Sequence, residues 1–320
     1  TQGVSSAASD VYKRQVLPTA PLIGMGMCCS ALLRAVGDAR GAMALTLIGG
    51  AASALLDPLC IFGLGLGLDG AALSQWIARS TLVALGIWMV MRKHDLLRLP
   101  TRAAVMDALP AFMAIGLPAV LTQIATPVGN AFVTHAIAPF GDAAVAGWSV
   151  VVRLIPVAFV VLFALSGAIG PIIGQNLGAR RFDRLRQTLR YSLALVLVYV
   201  AVVWLLLALG AHLIADAFGA QAQAREVIVF FCRFVAGSFA FNGALFVANA
   251  AFNNLGFALY STALNWGRAT LGVAPFVWLG AAMAGTQGIM AGYGLGVVAF
   301  GTIGIVLCFK TLDRLGSQAS

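Results

Sequence analysis

The chain has 320 residues, of which 61% are hydrophobic and 10% are charged, and its formal net charge at pH 7 is +9. Soluble domains carry about 25% charged residues, so the composition excludes an ordinary soluble domain and predicts an all-α integral membrane protein. The basic excess does not indicate a nucleic-acid partner, because the Lys and Arg residues lie mainly in short loops and form no stripe interleaved with aromatic residues.

The first fifteen residues differ from the rest of the chain. The segment TQGVSSAASDVYKRQ is polar, lacks the apolar core of a signal peptide, and ends like the translation of a sequencing-library adapter. We therefore interpret residues 1–15 as a non-native or disordered leader joined to a gene fragment. A genuine polar N-terminus is the alternative.

Hydropathy predicts nine membrane spans in the remaining sequence, because about 20 apolar residues cross the ~30 Å hydrocarbon layer as a helix. The predicted spans are 16–33, 43–62, 71–91, 112–137, 144–173, 189–213, 227–252, 259–282 and 288–309. If the spans alternate in direction, most loop Arg and Lys residues fall on one side. The positive-inside rule makes this side cytoplasmic and places the C-terminus there.

Five segments, occurring in family order, resemble the multidrug and toxic compound extrusion (MATE) transporters. They are LLRAVGDAR, LLDPLCIFGLGLGLDGAA, GLPAVLTQIATPVGNAF, AVAGWSVVVRL and IGPIIGQNLGARRFDRLR. The resemblance covers the chain from about Val16 to Leu315. It implies a two-lobed helical bundle that works by alternating access and exports cationic or amphipathic compounds in antiport with H⁺ or Na⁺. The family has twelve spans, so nine spans imply that three helices are missing.

The resemblance also implies a domain organisation. We predict the second half of an N-lobe (16–91), a cytoplasmic inter-lobe linker (92–110), a six-helix C-lobe (111–312) and a cytoplasmic tail (313–320). A sparse internal repeat supports two related halves, because Pro58 falls on Pro275 at an offset of 217 residues. We expect a monomer in the bacterial inner membrane that contacts lipid and a small-molecule substrate, with no cofactor besides the coupling ion.

Two amide-rich stripes each follow one helical face, since their residues recur at intervals of three, four or seven. The stripes are Gln123, Thr126, Asn130 and Thr134, followed by Asn242, Asn249 and Asn253. In the resembled family these two helices help to line the central cavity, so we predict a substrate or cation cavity here. Amide oxygens accept hydrogen bonds or coordinate Na⁺ but do not relay protons. Hydrogen bonding between helices is the open alternative.

Four arginines lie within predicted spans, where a central charge costs about 2.5–3.5 kcal/mol. Snorkelling at a helix end explains Arg79 and Arg233 more readily than Arg153, which lies in a strongly apolar run. Arg268 shares a helical face with Asn265. We interpret Arg153 as part of the cavity, and Arg268 with Asn265 as coupling or structural residues. The partners considered for these cations are carbonyls, water and an anionic group of the substrate.

Asp57, next to Pro58, is the best placed acidic residue for ion coupling, although capping of a helix end is an equal alternative. In the resembled branch the coupling aspartate lies in the first helix, which is missing here. The residues predict no catalytic or metal site and therefore no enzyme. An intramembrane hydrolase is the alternative of a different class, but ALSG at residues 164–167 only approaches its GxSG motif. A flippase for lipid-linked precursors, which requires a strongly basic cavity, is the alternative within transport.

Overall fold

The computed structural model describes residues 14–95 and 101–319, except for the side chains of residues 318 and 319. Residues 1–13 of the predicted leader and 96–100 of the predicted linker lie outside the described residues. The described residues form helices and turns without any strand, and they divide into two compact units at Arg102.

The first unit contains three helices joined by short turns: α1 (Ala20–Ala35), α2 (Ala39–Pro58) and α3 (Gly67–Trp88). A π turn at Leu59–Gly63 continues α2, and another at Met89–Lys93 continues α3. The helices pack around a small apolar core, as expected for half-buried spans. The buried core residues are Cys29, Leu33, Ala42, Leu45 and Val90.

A carboxylate organises the turn between α1 and α2. Gly37 has φ 84°, a left-handed conformation that glycine adopts without strain, and it turns the chain into α2. Asp38 then caps α2 by accepting a hydrogen bond from the Gly41 N–H at 2.9 Å. The same carboxylate accepts from Lys93 Nζ at 2.6 Å and lies 3.0 Å from His94 Nε2. Asp38 therefore connects the start of α2 to the residues after α3.

The second unit contains eight further helices of very unequal length. They are α4 (Arg102–Ile137), α5 (Asp142–Ala158), α6 (Val160–Gly178), α7 (Phe182–Ala217), α8 (Ala222–Phe230), α9 (Phe239–Asn254), α10 (Ala258–Ala269) and α11 (Ala274–Ala319). Large aromatic side chains fill its core. Phe159 stacks on Phe239 with ring centroids 4.5 Å apart. Trp148 and Tyr293 form an edge-to-face pair with ring centroids 5.5 Å apart.

The predicted span 144–173 is wrong as a single continuous helix, because the structure divides it into α5 and α6 at Phe159. Pro156 lies inside α5 and removes a backbone donor, which leaves the Val152 carbonyl without its helical partner. Phe159 has non-helical backbone angles and is 1% exposed, and its ring is held by Phe239. A proline and a buried aromatic side chain together explain the break. The predicted span 227–252 lies within one membrane-length stretch, Ala222–Asn254, in which a π turn and a 3₁₀ turn over residues 231–238 join α8 to α9.

The last two predicted spans are also rearranged. The chain breaks after α10, so that span 259–282 is not one helix, and α11 contains a tight turn where Gly285 has φ 56°. The two arms of α11 lie so close that a Cβ on Gly288 would collide with the carbonyl of Gly280. Gly292 and Gly296 meet backbone atoms of Phe276 and Gly272 in the same way. These glycines therefore serve close helix packing.

Eight stretches of the described residues are long and apolar enough to cross a membrane. One of them, Ala258–Ser317, includes the turn at Gly285 and therefore both of the last two predicted spans. The all-α membrane fold is thus confirmed. The five cysteines are free; four are buried and Cys28 is exposed.

Candidate functional site

A row of hydrogen bonds joins α4 to α10 in the second unit. Thr262 Oγ1 lies 2.9 Å from the Pro118 carbonyl oxygen and 3.1 Å from Thr122 Oγ1. One turn further along α10, Trp266 Nε1 donates to the Leu121 carbonyl at 3.0 Å. These bonds hold a proline-containing part of α4 against α10. Within a membrane the polar groups of the two helices have no water to bind, so they bind each other.

Arg268 continues this row and is almost completely buried, with 6% of its surface exposed. Its Nη2 donates to Thr126 Oγ1 at 3.2 Å. The guanidinium forms no ion pair with a carboxylate of the described residues, and its buried Nε has no hydrogen-bond partner among them. A buried cation with unused donor capacity can receive an anionic or strongly polar group of a ligand.

Two asparagines of α9 add acceptor groups to the same unit. Asn242 is 8% exposed, Asn249 is half-buried, and the Oδ1 atom of each is buried without a partner among the described residues. The Asn249 backbone carbonyl accepts from Ser261 Oγ at 3.2 Å, so this part of α9 lies beside α10. Asn265 Nδ2 donates to the Ser261 carbonyl of its own helix at 2.8 Å. Buried acceptors without partners mark places for water, a cation or a substrate donor.

The α4 stripe is distributed differently. Gln123, Thr126 and Thr134 are exposed on the second unit, and Asn130 is half-buried. Of these four, Thr126 contacts another helix with its side chain, which accepts a hydrogen bond from Arg268 of α10. The structure therefore brings Thr126, Asn265 and Arg268 into one region and leaves Gln123 and Asn130 on a surface. Arg153 is exposed on α5, and its place in a cavity stays a prediction.

Asp57 has a defined partner within the first unit. The Ser74 hydroxyl of α3 donates a hydrogen bond to the Asp57 carboxylate of α2, and Ser74 is fully buried. This geometry differs from a simple helix cap, because the carboxylate reaches across to another helix. A carboxylate held by a hydroxyl accepts the hydrogen bond when ionised and can donate one when protonated. The sequence analysis did not identify Ser74, because one hydroxyl residue in an apolar span gives little signal by itself.

Two other intramembrane arginines also have partners. Arg79 donates to the buried Thr19 hydroxyl, and Arg233 Nη2 lies 3.0 Å from His212 Nε2. Snorkelling is therefore not needed to explain Arg79, which binds inside the first unit. Among the described residues, no group of three or more His, Cys, Asp and Glu side chains is arranged to hold a metal ion.

An apolar cavity of about 600 Å³ opens between the end of α4 and the first arm of α11. Aromatic and proline side chains dominate its wall, with one imidazole among them. The principal lining residues are Phe132, His135, Phe140, Pro275 and Trp278. This volume is in the range of drug-sized ligand sites. Sequence reasoning missed the cavity because its residues come from segments more than a hundred positions apart.

Comparison with known proteins relates this chain and its fold to membrane transporters. The protein-family model MatE matches residues 118–279. The FAD transporter of Shewanella oneidensis is 29% identical over 280 residues, which cover 85% of this chain and 61% of that protein. The multidrug export protein MepA of Staphylococcus haemolyticus is 26% identical over 241 residues, covering 73% of this chain and 52% of MepA.

A solved structure supports the same relationship. The Vibrio cholerae MATE transporter VcmN in the bent form superimposes with a TM-score of 0.85 and 26% sequence identity. The alignment covers 98% of this chain and 71% of VcmN. The chain therefore spans about three fifths of the length of the FAD transporter and about half of MepA.

Proposed function

Because the chain belongs to the MATE family of membrane transporters, we propose that it acts in the secondary transport of small amphipathic molecules. The proposed transport is antiport by alternating access, driven by H⁺ or Na⁺ entering the cell. The observation that carries this proposal is the buried polar region of the second unit, where Arg268 and Asn249 keep unpaired hydrogen-bonding atoms. A static membrane bundle gains nothing from buried polar atoms without partners, whereas a carrier uses them to bind its substrate.

The energy available from coupling is sufficient. One positive charge moving through about 100 mV releases about 2.3 kcal/mol. At about 1.4 kcal/mol for each tenfold change, this supports an outward substrate gradient of roughly forty-fold.

The coupling group in the first unit is Asp57. Proton uptake by its carboxylate changes the hydrogen bond with Ser74, because the ionised carboxylate can only accept from the hydroxyl, whereas the protonated acid also has an O–H donor. That change alters the contact between α2 and α3, which is the local event that a proton-driven cycle requires. For Na⁺ coupling, the unpaired amide oxygens of Asn242 and Asn249 in the second unit are hard oxygen ligands of the kind that such cations prefer.

A flavin dinucleotide is a second candidate substrate. The relative from Shewanella oneidensis is named as an FAD transporter and aligns with 85% of this chain. FAD carries an anionic pyrophosphate, and guanidinium groups bind phosphate oxygens through paired N–H donors. Arg268 is a buried guanidinium without a carboxylate partner among the described residues, which suits a substrate anion better than a cationic drug.

Transport in reconstituted proteoliposomes tests these candidates. A fluorescent cationic dye and FAD are each supplied, and an inward H⁺ or Na⁺ gradient is then imposed. We expect gradient-dependent movement of one substrate, abolished by the ionophore that collapses the driving gradient. Movement of the dye supports multidrug export, and movement of FAD supports the second candidate. Failure of both compounds to move under either gradient contradicts the proposed function.

A further inference from the structure

An open cavity of about 500 Å³ lies near the start of α7, away from the buried polar region described above. Arg186, Arg190 and Leu193 line it from α7, and Phe309 lines it from α11. Positions i, i+4 and i+7 share one face of a helix, so α7 presents two guanidinium groups followed by an apolar side chain. The cavity thus changes from cationic to apolar along the helix axis.

The cationic end of this cavity has an excess of positive charge. Arg186 is half-exposed and forms an ion pair with Asp313 of α11, whereas Arg190 pairs with no carboxylate of the described residues. Residues 180–190 and 309–314 contain seven basic and two acidic side chains, a formal net charge of +5. The basic ones are Arg180, Arg181, Arg184, Arg186, Arg190, Lys310 and Arg314. Asp313 neutralises part of this charge and leaves the Arg190 side of the cavity cationic.

The apolar end of the cavity leads into the lipid-facing surface of the same helix. One turn beyond Leu193 on the same face, the side chain of Leu197 is 62% exposed. The stretch Phe182–Ala217 has a mean hydropathy of 2.8, as expected for a helix in contact with hydrocarbon. The cavity therefore lies where α7 passes from the membrane interface into the hydrocarbon layer.

We propose that this cavity binds an anionic phospholipid from the leaflet in which α7 begins. Arg186 and Arg190 donate to the phosphodiester oxygens, since a guanidinium group matches phosphate with two parallel N–H donors. Leu193 and Phe309 contact the first carbons of an acyl chain, which then follows the exposed leucines of α7. A soluble phosphate compound matches only the cationic half of this cavity, so the lipid is the better fit. Basic pockets at the ends of membrane helices are suited to such headgroups.

Native mass spectrometry of the full chain in detergent tests the proposal. Phosphatidylglycerol and phosphatidylcholine with identical acyl chains are titrated separately, so that only headgroup charge differs. We expect about tenfold tighter retention of phosphatidylglycerol, since each nearby basic residue strengthens binding to anionic lipid. The double variant Arg186→Gln/Arg190→Gln should lose this preference. The matched variant Arg181→Gln/Arg184→Gln removes two charges from the same end of α7 outside the cavity lining and should keep it.

Four results overturn the proposal. The first two are equal retention of both lipids and an unchanged preference in the Arg186→Gln/Arg190→Gln variant. The third is an equal loss of preference in the matched variant, which indicates diffuse attraction without a built site. The fourth is displacement of phosphatidylglycerol by added inorganic phosphate, which assigns the cavity to a soluble anion instead. If the double variant does not fold, Arg190→Gln alone provides the comparison, because it breaks no ion pair between described residues.

Discussion

The Arg268 guanidinium donates to the Thr126 hydroxyl at 3.2 Å, although the two residues are 142 positions apart in the chain. This contact joins α10 to α4 through a buried cation and a neutral acceptor. The hydroxyl accepts one of the five N–H groups of the arginine, and the buried Nε has no partner among the described residues. The arrangement leaves donor capacity for a ligand, which is the basis of the first prediction.

Replacing Arg268 by Gln should impair transport of an anionic substrate selectively. We expect the KM for FAD to rise about tenfold or more, because a hydrogen bond to a charged group contributes about 1.5–3 kcal/mol. Initial rates in proteoliposomes at several FAD concentrations give this value. Arg233→Gln is the control, since it removes another intramembrane arginine that is exposed and contacts His212. Equal increases of KM for FAD and for a cationic dye would show that Arg268 acts through structure alone.

The turn at Asp38 should make the stability of the first unit depend on pH. Hydrogen bonds from Lys93, from His94 and from the Gly41 N–H hold the pKa of the Asp38 carboxyl well below its usual range. A lowered pKa means that the ionised carboxylate stabilises the folded state above the ordinary carboxyl pKa of about 4. This contribution is lost as the pH falls through the lower folded-state value.

The comparison of wild type with Asp38→Asn tests this dependence. Thermal unfolding in detergent should show a lower Tm for Asp38→Asn at pH 7, and the difference should shrink in acid as the wild-type carboxyl is protonated. Asp95→Asn is the control, because Asp95 is exposed and near the same end of α3 but forms no ion pair between described residues. A Tm difference that stays constant from neutral to acidic pH contradicts the assigned role.

Hydropathy predicted where the apolar helices lie, because burial in lipid requires long apolar runs, and α7 is the clearest case. It did not predict the break at Phe159. A proline such as Pro156 kinks a helix, but the change into two helices depends on the contact between Phe159 and Phe239, which no local pattern contains.

The candidate site was predicted only in part for the same reason. The shared helical face of Asn265 and Arg268 was readable from their spacing, and both are buried. Their surroundings were not readable, since the Thr126 contact and the apolar cavity at Trp278 join segments far apart in the chain. The role of Ser74 was unreadable for the same reason, because it depends on the Asp57 carboxylate that α2 places opposite the hydroxyl.

Replacing Asp57 by Asn should uncouple transport from the proton gradient. The amide keeps the size of the side chain and removes the titratable group, so we expect gradient-driven accumulation to fall to the level of empty liposomes. Ser74→Ala should reduce the rate less, because the carboxylate remains. Asp69→Asn is the matched control, since Asp69 is an exposed carboxylate at the start of α3 in the same unit. Full H⁺-driven accumulation by Asp57→Asn would assign coupling to another group.

Replacing Gly288 by Ala should destabilise the second unit through a steric conflict between the arms of α11. A Cβ at this position would overlap the backbone carbonyl of Gly280, which cannot move aside as a flexible side chain does. We expect a loss of about 1–3 kcal/mol, the usual cost of overpacking, and a lower Tm in detergent. Gly210→Ala in α7 is the control, because no atom lies within 4 Å of the added methyl group. Helix propensity alone should make that control neutral or stabilising by up to about 1 kcal/mol. A similar Tm for both variants would mean that the arms of α11 separate easily, and the close glycine packing would then contribute little to the stability of the fold.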